Sequence, residues 1–101
     1  MSPAEVRIHH EAGEWVLRPS FAAIAEMEAH FDRSLFAIAR DYAHGQLNRA
    51  TDLKAILVAG LKGAGEEPAD DLEAQMMAFG LSALLEPLGR FLAKACGIET
   101  A

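Results

Sequence analysis

The chain has 101 residues, of which 51% are hydrophobic, so a single domain with a packed core is expected. Fifteen acidic and nine basic residues give a formal net charge of −6, a sign that repels phosphate backbones and anionic lipids. We therefore expect binding to neither nucleic acid nor a membrane surface. No secretory signal is visible, and the single Cys96 cannot form an internal disulfide, so we expect a protein of the reducing cytoplasm.

Residues 5–19 are predicted to form a two-stranded β-hairpin. Apolar residues alternate with polar ones in Glu5–His9, which is the period of a half-buried strand, and Glu14–Arg18 resumes the strand with Trp15 and Leu17 on one face. The turn is expected at Glu11–Gly13, and Pro19 should end the second strand because proline cannot donate to a ladder. The predicted inner face consists of Val6, Ile8, Trp15 and Leu17.

From Ser20 onward the apolar residues recur at the spacing of a helix instead of a strand. Residues 20–97 are therefore predicted to form four to five short helices. Ser20 and Ser34 are suitable N-caps for the first two helices, which should end near Asp32 and at Gly45. The apolar stripe predicted for the first helix includes Phe21, Ile24, Ala25 and Phe31.

The third helix is expected to start from Asn48 or Thr51 as its cap, and Gly60 inside it suggests close packing. Pro68 and Asp70-Asp71 suit the first turn of a fourth helix that ends at Gly80.

A fifth helix, capped near Ser82 and containing Pro87, should end at Gly97. The prediction is a single domain over residues 1–101, mainly α in the α+β class, with a hairpin followed by a helical bundle.

No catalytic or metal-binding constellation is visible in the sequence. His9 and His10 are neighbours in a strand and point to opposite faces, whereas His30 and His44 lie near the ends of different helices. Cys96 lies near a helix C-terminus, the wrong end for lowering the pKa of a thiol. We therefore expect no enzyme activity, no metal and no cofactor.

The surplus of apolar residues near the C-terminus has two interpretations. The last helix is either simply buried, or part of its apolar stripe binds a partner, which is a second copy or a helix laid in a groove. The candidate partner-binding residues are Met76, Phe79, Leu81, Leu84, Leu85, Leu88, Phe91 and Leu92.

Three segments carry a resemblance to a known family. The hairpin followed by Trp15–Glu28 resembles the opening of the gene-transfer-agent and phage tail family. Leu53–Gly65 is similar to a helix of that family that ends in glycine. Ser34-Leu35 resembles the Ser-Leu pair that follows the first helix in that family. The resemblance covers residues 6–95. Members are short proteins classed as tail assembly chaperones and sometimes labelled tail tube proteins.

The resemblance implies a protein encoded among tail genes of a prophage or gene transfer agent and acting in the cytoplasm of the bacterial host. A tail chaperone binds the tape-measure protein, whose apolar helices would otherwise aggregate, and helps recruit tail-tube subunits; homo-oligomers are possible. One alternative is a structural tail-tube component that stays in the particle, and another is an unrelated small helical adaptor.

Overall fold

The structure, a computed structural model, describes residues 5–97, which begin with an antiparallel hairpin. Strand β1 (Val6–His10) pairs with β2 (Gly13–Leu17), so that Val6 lies opposite Leu17 and Ile8 opposite Trp15. All four of these side chains are buried. The predicted alternation of the hairpin is therefore confirmed.

Five helices follow the hairpin within the described residues. Together with the hairpin they confirm the predicted α+β class. The helices are α1 (Phe21–Phe31), α2 (Leu35–Ala43), α3 (Ala50–Gly63), α4 (Leu72–Phe79) and α5 (Leu81–Ala95).

Both predicted serine caps are present. The Oγ atom of Ser20 accepts a hydrogen bond from the backbone N–H of Ala23, and that of Ser34 accepts one from Ala37, each at 3.1 Å. These contacts satisfy N–H groups that have no partner within the first turn of a helix. Each helix start is thus fixed by a contact between residues three positions apart in the chain. The starts of α1 and α2 could therefore be predicted from the sequence alone.

The predicted cap of α3 is wrong. Neither Asn48 nor Thr51 holds that position; the N-cap is Arg49, whose backbone N–H donates to the carboxylate of Asp52 at 3.2 Å. The carboxylate also lies in the first turn, where the helix dipole favours negative charge.

The starts of the last two helices also differ from the prediction. Helix α4 begins at Leu72, so Pro68 and Asp70 lie in the preceding loop and not in its first turn. Helix α5 begins directly after Gly80, which has φ 101°, so Ser82 lies inside its first turn. The left-handed conformation of this glycine ends α4 and allows α5 to start in a new direction within one residue.

Helix α3 lies at the centre of the fold, against the hairpin, α1 and α5. A Cβ atom on Gly60 would lie 2.8 Å from the Cβ of Leu17, and the Gly60 carbonyl accepts a hydrogen bond from the backbone N–H of Arg18 at 3.0 Å. Gly60 therefore marks a close approach of strand and helix, as predicted.

No helix among residues 5–97 is long and apolar enough to cross a membrane alone. Helices α4 and α5 reach that length and composition only when taken together, and they meet at 104°. Helix α5 packs against α2, α3 and β1.

Candidate functional site

Most of the predicted partner-binding residues belong to the core. The side chains of Leu84, Leu88, Phe91 and Leu92 are at most 1% exposed, and that of Met76 is 3% exposed. This corrects the expectation that they offer a surface, because α5 is enclosed by α2, α3 and β1 and its stripe is used in folding. The interpretation of a simply buried last helix describes Leu84, Leu88, Phe91 and Leu92, and Met76 is buried on α4.

The other three predicted residues are more accessible. Leu85 is 40% exposed, whereas Phe79 and Leu81 are half-buried at the edge of the core. Phe79 also packs edge-to-face against Trp15, with ring centroids 5.6 Å apart, and thereby ties α4 to the hairpin. Of the eight residues, Leu85 is the one that presents a large apolar side chain to solvent.

Leu85 lies in a groove between α2 and α5, which we call the α2–α5 groove. Its volume is about 500 Å³. Small side chains on both helices keep it shallow and apolar, and Glu86 and Arg90 form an ion pair of 2.8 Å at its rim. The lining residues are Ala39, Tyr42, Ala43, Leu85, Glu86, Gly89, Arg90, Leu92 and Ala93.

Tyr42 connects the two walls of the α2–α5 groove. Its hydroxyl donates a hydrogen bond of 2.5 Å to the backbone carbonyl of Leu85. Burial, with a smaller contribution from the charge of Glu86, raises the pKa of Tyr42 to about 12. The phenol is therefore neutral at physiological pH and acts as a structural donor.

A second groove runs along α4 and is called the α4 groove. It has a volume of about 250 Å³, and Met77 at its edge is 66% exposed. An ion pair of 2.6 Å between Lys54 and Glu73 joins α3 to α4 across it. The lining residues are Ala50, Thr51, Lys54, Glu73, Met76, Met77 and Leu81, which include two of the predicted partner-binding residues, Met76 and Leu81.

The α4 groove adjoins a depression between α1 and α3 with a volume of about 370 Å³. Thr51, Lys54 and Glu73 line both, so the Lys54–Glu73 ion pair stands at the boundary between them. The floor of the depression includes Met27 and Val58. The two depressions together extend from α1 across α3 to the start of α5, and their lining alternates apolar side chains with the charged groups of Glu26, Lys54 and Glu73.

Two exposed aromatic residues were not predicted as surface groups. Phe21 is 89% exposed and Phe36 is 68% exposed. Phe21 was expected on the buried stripe of α1, but that helix instead buries Ala23 and Met27. The apolar residues at 21, 24, 25 and 31 and those at 23 and 27 follow overlapping helical spacings, so periodicity alone did not decide which face is inside.

The carboxylates are distributed unevenly along the chain. Residues 63–89, which we call the acidic segment, contain six carboxylates and no Lys or Arg. Nine acidic and nine basic residues remain outside it, so its formal charge equals the whole net charge of −6. Within the described residues, no ion pair or hydrogen bond reaches the carboxylates of Glu66, Glu67 or Asp70.

The one buried charged side chain among the described residues is Asp41, and it has a structural environment. Its carboxylate accepts from Arg33 at 2.6 Å and from Arg40 at 3.1 Å. Burial raises the pKa of Asp41, but the hydrogen bonds and charges of the two guanidinium groups outweigh burial and leave the pKa below its usual range. The group stays ionised and ties the α1–α2 connection to α2.

The histidines and the cysteine do not assemble into a site. His9 lies 3.2 Å from the carboxylate of Glu14, and His10 stacks on Trp15 with centroids 4.1 Å apart. Burial raises the pKa of the Cys96 thiol at the end of α5. Over residues 5–97 no three His, Cys, Asp or Glu residues are grouped so that they could hold a metal ion.

The described part of the chain is thus an α+β protein with apolar grooves between its helices. A family model described as "phage tail tube protein, GTA-gp10" matches residues 3–97. Because the match covers nearly the whole chain, the protein belongs to this family of phage and gene transfer agent tail proteins, which confirms the resemblance. Comparisons with curated proteins and with solved structures gave no match.

Proposed function

We propose that this tail protein is a tail assembly chaperone, which binds apolar helices of the tape-measure protein in the bacterial cytoplasm and helps recruit tail-tube subunits around them. The proposed role is binding alone, with no catalysed reaction, metal or cofactor. The observation that carries the proposal is the combination of apolar grooves with exposed apolar side chains beside them, Met77 at one groove and Leu85 in another. Such surfaces are typical of sites that receive an amphipathic helix.

The small sheet also favours a chaperone over a tube subunit. Tube rings generally need a sizeable sheet that continues between neighbouring subunits. The described residues form one sheet of two strands of five residues each, and its inner face is covered by helices. Such a hairpin offers little backbone for a ring.

The alternative is a structural tail-tube component, and the family description favours it because it contains the words tail tube. The two functions differ in one consequence: a tube component remains in the finished particle, whereas a chaperone leaves. Membership of the tail family removes the third candidate, an unrelated helical adaptor.

Co-expression with the tape-measure protein of the same tail gene cluster tests the proposal. A chaperone should raise the soluble yield of that protein and co-purify with it. Replacing both exposed groove residues, Met77→Asp and Leu85→Asp, should remove the effect while the protein stays folded, since both side chains are accessible. An unchanged yield in the presence of the unaltered protein, without co-purification, would contradict the proposal.

A further inference from the structure

We propose that the α4 groove binds an amphipathic helix that carries Lys or Arg residues beside its apolar stripe. The inference rests on the proposed chaperone function and names the chemistry of the client segment and the groove that receives it.

The α4 groove has the length and the lining that the apolar stripe of a short bound helix requires. Helix α4 has eight residues and is about 12 Å long, so a bound helix can place anchors one turn apart along it. Met76 and Leu81 line the groove beside the core, and the exposed thioether of Met77 lies at its edge. Methionine side chains are flexible and polarisable, so they adapt to apolar partners of different shape.

The charge beside the groove selects the partner. Glu73 lines the groove and Asp70 lies three residues before it, so their Cα atoms are at most about 11 Å apart. Lys54 lines the groove as well, but Glu73 already pairs with it at 2.6 Å. Asp70 makes no such contact within the described residues, so it leaves an uncompensated negative charge near the α4 groove, which favours a cationic partner.

Other occupants fit less well. A second copy of the chain would bring its own acidic segment, with a formal charge of −6, and like charges across an interface oppose binding. The α2–α5 groove lacks comparable selectivity, because its rim charges, Glu86 and Arg90, neutralise each other. In the α4 groove, in contrast, the apolar lining lies near an uncompensated carboxylate, that of Asp70.

Overlapping synthetic peptides that tile the tape-measure protein of the same tail gene cluster test the inference. Each peptide is titrated with the full-length chain by fluorescence anisotropy, at low and at high salt. We expect the bound peptides to be amphipathic helices with net positive charge. Their affinity should fall as salt rises, since charges at solvent-exposed positions are screened.

Two pairs of variants locate the site. Met77→Lys should weaken the binding of these peptides by about tenfold or more, because it places a cation among apolar contacts and repels a basic helix. Phe36→Lys is the matched control: Phe36 is 68% exposed, close to the 66% of Met77, but it lies outside the groove. It should change the affinity by less than about twofold.

The second pair tests the charge. Asp70→Asn should weaken binding by about twofold to threefold at low salt and leave it unchanged at high salt. The matched control is Asp32→Asn at the end of α1, which removes one exposed carboxylate that does not line the α4 groove. Circular dichroism verifies that every variant is folded.

The inference is overturned if the bound peptides are acidic, or if Met77→Lys binds them as tightly as the unaltered chain does. It is also overturned if no peptide binds while the intact tape-measure protein still co-purifies, and in that case the proposed function stands. Failure of both peptide binding and co-purification overturns the inference together with the chaperone function.

Discussion

The earlier and later parts of the chain use their carboxylates differently. In residues 5–62, Glu5, Glu14, Glu26 and Asp41 pair with cations, and the Glu26–Lys62 pair links α1 to α3. In the acidic segment, three carboxylates reach no partner within the described residues. Exposed ion pairs contribute little stability individually, so the main effect of this difference is on the surface field. Residues 5–62 carry eight carboxylates and seven Lys or Arg residues and are nearly balanced electrically, whereas the acidic segment carries six carboxylates and no Lys or Arg.

The same division appears in the packing. Around β2 and α3 the backbones approach so closely that Gly60 and Gly63 leave no space for a side chain. The α2–α5 groove, in contrast, remains open beside Gly89. The tight contact between β2 and α3 supports the fold, whereas the accessible edges of α2, α4 and α5 carry the surfaces that we assign to binding. The following predictions test this comparison, from the largest expected effect to the smallest.

Leu88→Asp should unfold the protein. Leu88 is fully buried, and an unpaired carboxylate there should cost about 4 kcal/mol or more of the free energy of unfolding. Leu85→Asp, three residues away on the same helix but 40% exposed, should cost about 1 kcal/mol or less. Chemical denaturation followed by circular dichroism measures both. Equal losses for the two variants would contradict the assignment of Leu88 to the core and Leu85 to the surface.

Gly63→Ala should destabilise the tightly packed region by about 3 kcal/mol. The new Cβ would lie 1.8 Å from the backbone carbonyl oxygen of Arg18, so the end of β2 must shift away from α3. Gly89→Ala is the matched control in α5, where the nearest atom is Cε1 of Tyr42 at 3.3 Å. Thermal unfolding should show a much smaller change for Gly89→Ala. A larger loss at Gly89 than at Gly63 would reverse the comparison of the two regions.

Acid should weaken the balanced region through Asp41. The pKa of this carboxyl lies below its ordinary value of 3.8 in the folded state, so its ionised form contributes stability above pH 3.8. That contribution is lost as the pH falls through the lower folded pKa. Urea midpoints measured from pH 7 to pH 3 should therefore decline more steeply for the unaltered chain than for Asp41→Asn. Glu67→Gln is the control, since this carboxylate has no partner among residues 5–97; parallel curves for all three proteins would contradict the prediction.

Features set by a few neighbouring residues could be predicted from the sequence. The hairpin followed from the alternation in its first strand and from the shared face of Trp15 and Leu17 in its second. Ser20 and Ser34 cap helices through contacts that reach only three residues along the chain. Gly60 was also identified, because a glycine inside a helix needs a packing reason. The start of α4 was not predicted correctly, since proline and carboxylates are favoured both in the first turn of a helix and in the loop before it.

The candidate surfaces depend on distant contacts, so the sequence indicated them only in part. The stripe of α5 is long enough to bind a partner, but whether Leu84 or Leu88 is accessible depends on how α2, α3 and β1 enclose the helix. Phe21 was assigned to the wrong face for the same reason. The α4 groove combines residues from three helices, so it forms only when α4 is placed against α3.

Quantitative mass spectrometry of purified particles tests the central claim most directly. A tail assembly chaperone acts before the particle is complete, so the account predicts that this protein is absent from finished particles, or present far below the abundance of the tape-measure protein. The lysate of the producing cells should contain both proteins. Detection in the particle at the many copies expected for stacked rings would contradict the chaperone function and establish a structural tail-tube component.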